Sequence, residues 1–345
     1  MAGGTGGHIM PGLAVAEHLR AQGWKIAWMG NQDGMELKLT AGRGYDMAWV
    51  HFTALRGKGW LRKLLLPFNL LRGFRQAWVQ LSRIRPDVVL GMGGYVSFPG
   101  GMMAALRGIP LVLHEQNSVA GLANRVLAGV ADRIVTGFPG VFSKGVWAGN
   151  PVRPEIAVLP APTLRYAQRT GPLRLLVLGG SLGAQALNDV LPKALALIPE
   201  AERPAVVHQA GEKHLPMLQD RYVSAGVRAD CVAFIKEMAG AYSWADLVIC
   251  RAGALTVAEL AAAGTASLLV PYPYAVDDHQ TSNARFLANA GAAILLPQDQ
   301  LTPERLAEVR TLSRGQLAQM AEKAYALARP EATAVVAQAC AELAK

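Results

Sequence analysis

Short apolar runs alternate with amphipathic stretches along almost the whole chain. The runs fall at 25–29, 87–90, 111–114, 133–136, 174–178, 205–208, 232–235, 246–250, 267–270 and 293–296. They are rich in Val, Ile and Leu, short, and bounded by turn-forming residues, which predicts buried strands. Between them, apolar positions recur at helical spacing, as in 13–22, 184–197, 255–262 and 280–289. Strands alternating with helices predict βαβ units and parallel sheets. The runs are too many for one comfortable sheet. The turn-rich segment Gly149-Asn-Pro-Val-Arg-Pro154 lies near the middle of the 345 residues and is the natural boundary. The expected class is therefore α/β, with two Rossmann-like domains of parallel sheet facing each other across a cleft. Beyond Thr302 the pattern is helical only, with a final amphipathic stretch at 333–343.

Composition supports two buried cores: 52% of residues are apolar and 17% charged, which excludes a disordered chain. Lys and Arg number 34 against 25 Asp and Glu, a formal charge of +9 that favours anionic partners. Cys231, Cys250 and Cys340 have neither paired nor metal-ligand spacing, so neither a disulfide framework nor a zinc site is expected. The first residues, MAGGTGGHIMPG, lack the charged and apolar regions of a signal peptide. Two long uncharged stretches, 88–106 and 260–276, are interrupted by Gly and Pro and do not read as membrane-spanning helices. These features predict a soluble protein in a reducing, cytoplasmic setting.

Three glycine-rich turns stand where a strand should hand over to a helix. They are Gly3-Gly-Thr-Gly-Gly-His8, Gly91-Met-Gly-Gly-Tyr95 and Gly179-Gly-Ser-Leu-Gly-Ala184. Glycine lets the backbone approach an anion, and a following helix N-terminus offers amide donors, so three such turns point to phosphate binding. None has the G-x-G-x-x-G spacing of a dinucleotide site, and no Walker-type loop or Asp-x-Asp occurs. The expected site is free of metal and cofactor and relies on amides and arginine. The first loop also lacks the strand that should precede it. That reads as a start codon assigned too late, because losing a central strand would expose two sheet edges.

At these residues the chain resembles the MurG family of bacterial glycosyltransferases. The matching blocks are Gly3-Gly-Thr-Gly-Gly-His8, Leu55-Arg-Gly-Lys58, Pro86-Asp-Val-Val-Leu-Gly-Met-Gly-Gly-Tyr95, His114-Glu-Gln-Asn117, Gly149-Asn-Pro-Val-Arg153, Gly179-Gly-Ser181, Cys250-Arg-Ala-Gly-Ala-Leu-Thr-Val-Ala-Glu259 and Asp278-His-Gln-Thr-Ser-Asn-Ala284. They run from end to end in the family's order. The resemblance implies a GT-B fold. Residues 1–153 would form the acceptor and membrane domain, completed by a C-terminal helix at 328–345, and residues 154–327 the domain holding UDP-N-acetylglucosamine. It implies inverting transfer of N-acetylglucosamine to the C4 hydroxyl of lipid I, giving lipid II for peptidoglycan. It further implies a peripheral enzyme on the cytoplasmic side of the inner membrane, with the cell-wall and division machinery among its partners.

Under that resemblance Ser181 and Arg153 meet the donor diphosphate, a planar guanidinium being able to clamp two oxygens. The segment Ala254, Leu255, Thr256, Val257, Ala258 and Glu259 opens a helix towards the nucleotide. Glu259 has two acceptor oxygens for the ribose hydroxyls. Ile235, closing a strand at 231–235, would contact uracil. Gln280 and Asn283, three apart on a helix, would present their amides to the sugar. Thr5, Gly6 and Gly7 would close over the sugar and acceptor diphosphate, and Asn117 would contact the N-acetylglucosamine. Gly93, Gly94 and Tyr95 lie on the acceptor side. His8, of the one side-chain type whose unperturbed charge change falls near neutral pH and placed on the first loop, is the first candidate base, and Glu115 the runner-up. A purely structural His8, capping a helix that starts at Pro11, is the competing reading. His114 reads as a buried core histidine.

Between Asp46 and Asp87 no acidic residue occurs, while eight basic ones do: Arg56, Lys58, Arg62, Lys63, Arg72, Arg75, Arg83 and Arg85. Trp60, Leu61, Leu64, Leu65, Phe68, Leu71, Phe74 and Trp78 are interleaved, and Pro67 either breaks the stretch or starts a second helix. Cations beside aromatics and leucines suit an interfacial face on anionic lipid, formed by Trp60, Arg62, Lys63, Leu64, Leu65, Phe68, Arg72 and Arg75. Packing on the sheet competes for part of this face. Nucleic acid is not expected, since no recognised binding module accompanies the arginines. Two rivals stand beside the transferase: a UDP-N-acetylglucosamine 2-epimerase, which needs no lipid acceptor, and a nucleotide-binding, membrane-associated scaffold without turnover.

Overall fold

The computed structural model describes residues 1–52, 66–180 and 183–344. The chain divides into two compact units, one of residues 1–152 together with the chain from Arg329 onward, the other Arg153–Ala328. Among the described residues all strand pairs are parallel, as alternating strand and helix patterns require.

In the first unit, β1 (Ala27–Gly30) pairs with β2 (Asp46–Trp49). A separate four-stranded sheet has the order β3 (Val89–Gly91), β4 (Leu111–Glu115), β5 (Arg133–Thr136), β6 (Val146–Trp147). Every residue of β4 is buried, which explains its unbroken apolar run Leu111-Val-Leu and forces His114 and Glu115 to find partners inside. Between β1 and β3 lie the first two residues. The Met1 ammonium donates to the Leu90 carbonyl at 2.8 Å, the Met92 amide donates to the Met1 carbonyl at 2.9 Å, and the Trp28 indole donates to the Ala2 carbonyl at 3.2 Å. These two residues thus run along β3 and deliver the first glycine loop, as a strand end would. Beside them a groove of about 500 Å³, lined by Ala27, Met29, Val88 and Leu90 among others, separates β1 from β3. The helix Ala332–Ala341 packs on helix Gly6–Ala21, sharing a core of Val15, Leu19, Val112, Val336 and Cys340.

The second unit holds one six-stranded sheet. Its order is β12 (Ala293–Leu295), β11 (Ser267–Leu269), β10 (Leu247–Cys250), β7 (Arg174–Leu178), β8 (Ala205–Gln209), β9 (Asp230–Val232). Helix faces bearing Leu187, Leu191 and Leu317 cover Val177, Ile249 and Leu268 of the sheet, and the whole cluster lies within this unit. Asp246, fully buried before β10, accepts from Arg169 at 2.6 Å, Arg314 at 3.1 Å and the Arg174 amide at 2.9 Å. Its charge is therefore compensated where an unpaired carboxylate would be prohibitive.

Two sequence expectations need correction. The first helix begins at Gly6 rather than Pro11, and Pro11 lies inside it. The strand expected at 231–235 ends at Val232, leaving Ile235 in the following loop. Of the two readings of Pro67, the one in which it starts a helix fits: it is the second residue of helix Leu66–Ile84, where its missing N–H costs nothing.

Candidate active site

In the first unit the glycine loop is built from both sides. Gly4 has φ +88°, a conformation that favours glycine, and its amide donates to the Glu36 carboxylate at 3.3 Å. Glu36 is fully buried and also accepts from the Asn31 amide at 2.8 Å, so it ties the loop to the end of β1. Nothing in the local sequence singles out Glu36; its role appears only once the loop folds over it. The second glycine turn serves the first. A Cβ on Gly94 (φ +80°) would lie 2.1 Å from the Gly3 carbonyl oxygen, and one on Gly93 (φ +89°) 2.9 Å from His8 Nδ1. Tyr95 lies beside Gly4, where a Cβ would meet its ring at 3.0 Å. Thr5 is the extended residue before helix Gly6–Ala21, and Gly6 and Gly7 form its first turn with His8. The His8 amide donates to the Thr5 carbonyl at 3.1 Å, and the Gly6 and Gly7 amides at the head of the helix suit an anion.

His8 is half-buried, and its Nδ1 lies 2.7 Å from Gln116 Oε1. The Gln116 amide nitrogen lies 2.8 Å from His114 Nδ1 and 3.1 Å from the His114 carbonyl, and His114 Nε2 lies 3.0 Å from the Gly149 carbonyl. His114 is fully buried, and burial lowers its pKa to about 4. Glu115 does not suit the role of base. It is buried, and its carboxylate accepts from the Asn117 amide at 2.9 Å, Asn117 Nδ2 at 3.3 Å, the Gly121 amide at 3.2 Å and Asn124 Nδ2 at 2.8 Å. A carboxylate so engaged shapes the loop after β4 and positions Asn117.

In the second unit, helix Ala254–Ala263 follows β10 directly, capped by the extended Gly253 and closed by left-handed Gly264. Ala254, Leu255 and Thr256 form its exposed-amide turn, with Val257 and Ala258 continuing it. One turn on, Glu259 is buried. Its Oε1 accepts from Arg153 Nε at 2.9 Å and Nη2 at 2.8 Å, and its Oε2 accepts from the Tyr242 hydroxyl at 3.0 Å. Burial pushes the Glu259 pKa up, against the opposing pull of Arg153 and Tyr242. The structure thus brings together two residues that the sequence reading assigns to different parts of a ligand, and adds Tyr242, which that reading missed.

The turn after β7 ends in Gly183 (φ +78°), whose Cβ would sit 2.4 Å from the Ala210 carbonyl, and helix Gln185–Ala196 follows. Ser181 lies outside the described residues. The Ile235 amide donates to Gln209 Oε1 at 3.2 Å, so the buried end of β8 holds the loop that carries Ile235. Gln280 and Asn283 share helix His279–Ala288 but differ in role. Gln280 Oε1 accepts from the Tyr272 amide at 2.9 Å, whereas Asn283 is fully buried and donates to the Ala252 carbonyl at 3.2 Å. Asn283 therefore braces the loop before Ala254 and does not offer its amide as Gln280 does.

Helix Leu66–Ile84 buries Gly73, Ala77 and Leu81 and exposes Phe68 (71%), Leu71 (69%), Arg72 and Arg75. Trp60, Arg62, Lys63, Leu64 and Leu65 lie outside the described residues. Among the described residues no helix is long and apolar enough to cross a membrane.

Residues 1–136 match the glycosyltransferase family 28 N-terminal domain and residues 174–339 its C-terminal domain. The chain is 66% identical over 345 residues to the UDP-N-acetylglucosamine–N-acetylmuramyl-(pentapeptide) pyrophosphoryl-undecaprenol N-acetylglucosamine transferase of Dechloromonas aromatica, covering 100% of this chain and 98% of that protein. It is 68% identical over 346 residues to the protein of the same name from Azoarcus sp., covering 100% and 97%. Among solved structures, Acinetobacter baumannii MurG superposes with a TM-score of 0.87 at 42% identity, covering 99% of this chain and 98% of that one. The calicheamicin glycosyltransferase CalG4 (TM-score 0.65, 17% identity, 99% and 96% covered) shares the fold alone.

Proposed function

The chain belongs to glycosyltransferase family 28, and on that premise we propose that it moves N-acetylglucosamine from UDP-N-acetylglucosamine to lipid I, forming lipid II. The observation that carries this reading is two-thirds identity, over the whole chain, to transferases named for that donor and acceptor. The acceptor C4 hydroxyl attacks the anomeric carbon as the bond to UDP breaks on the opposite face, inverting the centre. The hydroxyl proton passes to His8, which lies at the head of the first helix beside the glycine loop, while Thr5, Gly6, Gly7, Gly93, Gly94 and Tyr95 surround the acceptor diphosphate. Glu115 is not the base in this scheme; it holds Asn117 towards the sugar.

Departing UDP gains negative charge, which backbone amides and a cation stabilise. We assign this to the amides from Ala254, to the turn carrying Ser181, and to Arg153, whose Nη1 is not used in the pair with Glu259. Glu259 Oε1 is filled by the two Arg153 donors, whereas Oε2, which accepts from the Tyr242 hydroxyl, keeps a second lone pair for a ribose hydroxyl. Ile235 takes uracil, and Gln280 the sugar. The exposed stripe Phe68, Leu71, Arg72, Arg75 is the face for a membrane bearing anionic lipid and the polyprenyl acceptor.

The test is UDP release by purified protein given UDP-N-acetylglucosamine with and without a lipid I analogue. Release that requires the analogue, with sugar appearing on it, is expected. Epimerisation of the donor without acceptor, or donor binding with no turnover, would overturn the reading.

A further inference from the structure

The contacts around His8 contain enough fixed donors and acceptors to assign every proton in the chain that ends on it. A carbonyl oxygen only accepts. The Gln116 side-chain atom 3.1 Å from the His114 carbonyl is therefore its amide nitrogen, which fixes the orientation of the carboxamide. By the same rule His114 Nε2, facing the Gly149 carbonyl at 3.0 Å, carries a proton. Burial keeps His114 neutral, so its Nδ1 is bare and accepts from the Gln116 amide nitrogen at 2.8 Å. Gln116 thus turns its oxygen, which has no proton to give, towards His8 Nδ1 at 2.7 Å. His8 Nδ1 must then be the donor.

We propose that Gln116 and His114 act as positioning residues that hold His8 as the Nδ1–H tautomer, leaving Nε2 as the one ring nitrogen able to take the acceptor's proton. This rests on the reading of His8 as the base and adds how it is made ready. The Nδ1–H bond to Gln116 is the same before and after Nε2 gains a proton, so the transfer requires no rearrangement of the supporting groups. Gly93 belongs to the device, since a side chain there would enter the space of His8 Nδ1. The ionisable neighbours on β4 are His114 and Glu115, and Glu115 is engaged by Asn117, Gly121 and Asn124. All members lie in the first unit, at one end of its sheet.

The test uses the full chain with ¹⁵N-labelled histidine, the His8 signals being identified by their loss in His8→Gln. In the wild-type protein at neutral pH, long-range ¹⁵N–¹H spectra should give His8 Nδ1 the shift of a protonated nitrogen and Nε2 that of a bare one. Gln116→Met should mix the two tautomers and lower kcat roughly tenfold to a hundredfold with the donor KM unchanged. Because Gln116 is buried and that variant can lose stability, the wild-type spectrum decides alone: a proton on Nε2 of neutral His8 overturns the proposal. An unchanged tautomer and kcat in folded Gln116→Met overturns it too. Full transfer by His8→Ala would instead overturn the base assignment, whatever the spectra say of the tautomer.

Discussion

Glu259 is a carboxylate that burial pushes towards its neutral form, and the donors around it oppose that push. Arg153 supplies two N–H groups and Tyr242 one O–H, each on the oxygen that faces it. Removing the guanidinium leaves burial opposed only by the tyrosine, so Glu259 protonates more readily and loses acceptor strength. Arg153→Ala should therefore raise the donor KM about ten- to a hundredfold, a loss of roughly 1.5–3 kcal/mol, and Tyr242→Phe should have a smaller effect in the same direction. Initial rates against UDP-N-acetylglucosamine check this, and an unchanged KM in both variants removes the pair from donor binding. Gly94 gives a second test. Alanine there combines a left-handed backbone with a clash on the Gly3 carbonyl, so Gly94→Ala should destabilise the protein by at least about 1–2 kcal/mol in urea unfolding. At this scale the sequence was only partly legible. Spacing placed Glu259 on its helix but left His8 on a loop ahead of one, no pattern tells which acidic residue turns inward, and Glu36 and Asn283 owe their roles to partners some thirty residues away.

Helix Leu66–Ile84 divides its residues cleanly. Gly73, Ala77 and Leu81 recur at helical spacing on the buried side, with Phe52 against Gly73, while Phe68, Leu71, Arg72 and Arg75 recur on the other. An exposed stripe of this kind has no packing role among the described residues of its own unit. Arg62, Lys63, Arg72 and Arg75 changed together to Gln should weaken binding to anionic vesicles by several kcal/mol at about 1 kcal/mol per cation, with added salt weakening the wild type similarly. Sedimentation with vesicles reads this directly; undiminished binding by the variant would move the membrane face elsewhere. Elements with continuous apolar runs, such as β4, β7 and β10, were legible in the chain. The two-residue β6 was not, because it is too short to distinguish from a loop, and β2 (Asp46-Met-Ala-Trp49) was missed although three of its four residues are apolar.

Both units keep a neutral imidazole in the interior, and this sets a pH limit on the whole molecule. His208 lies between the Tyr222 hydroxyl at 2.9 Å and Asn188 Oδ1 at 3.0 Å, and burial lowers its pKa to about 3, as it lowers that of His114 to about 4. Unfolded histidines titrate near 6.5, so between that value and the lowered ones the unfolded chain binds protons that the folded chain refuses. The contribution of each is full above about pH 6.5 and falls away as pH drops towards 4 and 3. Urea midpoints measured from pH 7.5 to 4.5 should fall, and His208→Gln should flatten the slope; an equal slope in the variant would contradict this account. The division into two α/β units was legible from the number of strands and the turn at 149–154. That the chain re-enters the first unit at Arg329 was expected only by resemblance, since an amphipathic helix does not announce what it will cover.

That re-entry separates the order of synthesis from the order of completion. The second unit is one uninterrupted segment whose main core cluster lies between Tyr166 and Ala321, so those residues emerge from the ribosome before the last helix does. The first unit begins emerging earlier, yet Val15, Leu19, Val112 and Val135 have no complete cover until Val336, Ala337 and Cys340 arrive. During translation, the half that starts first is therefore the half that waits, its apolar face open to chaperones while its successor closes.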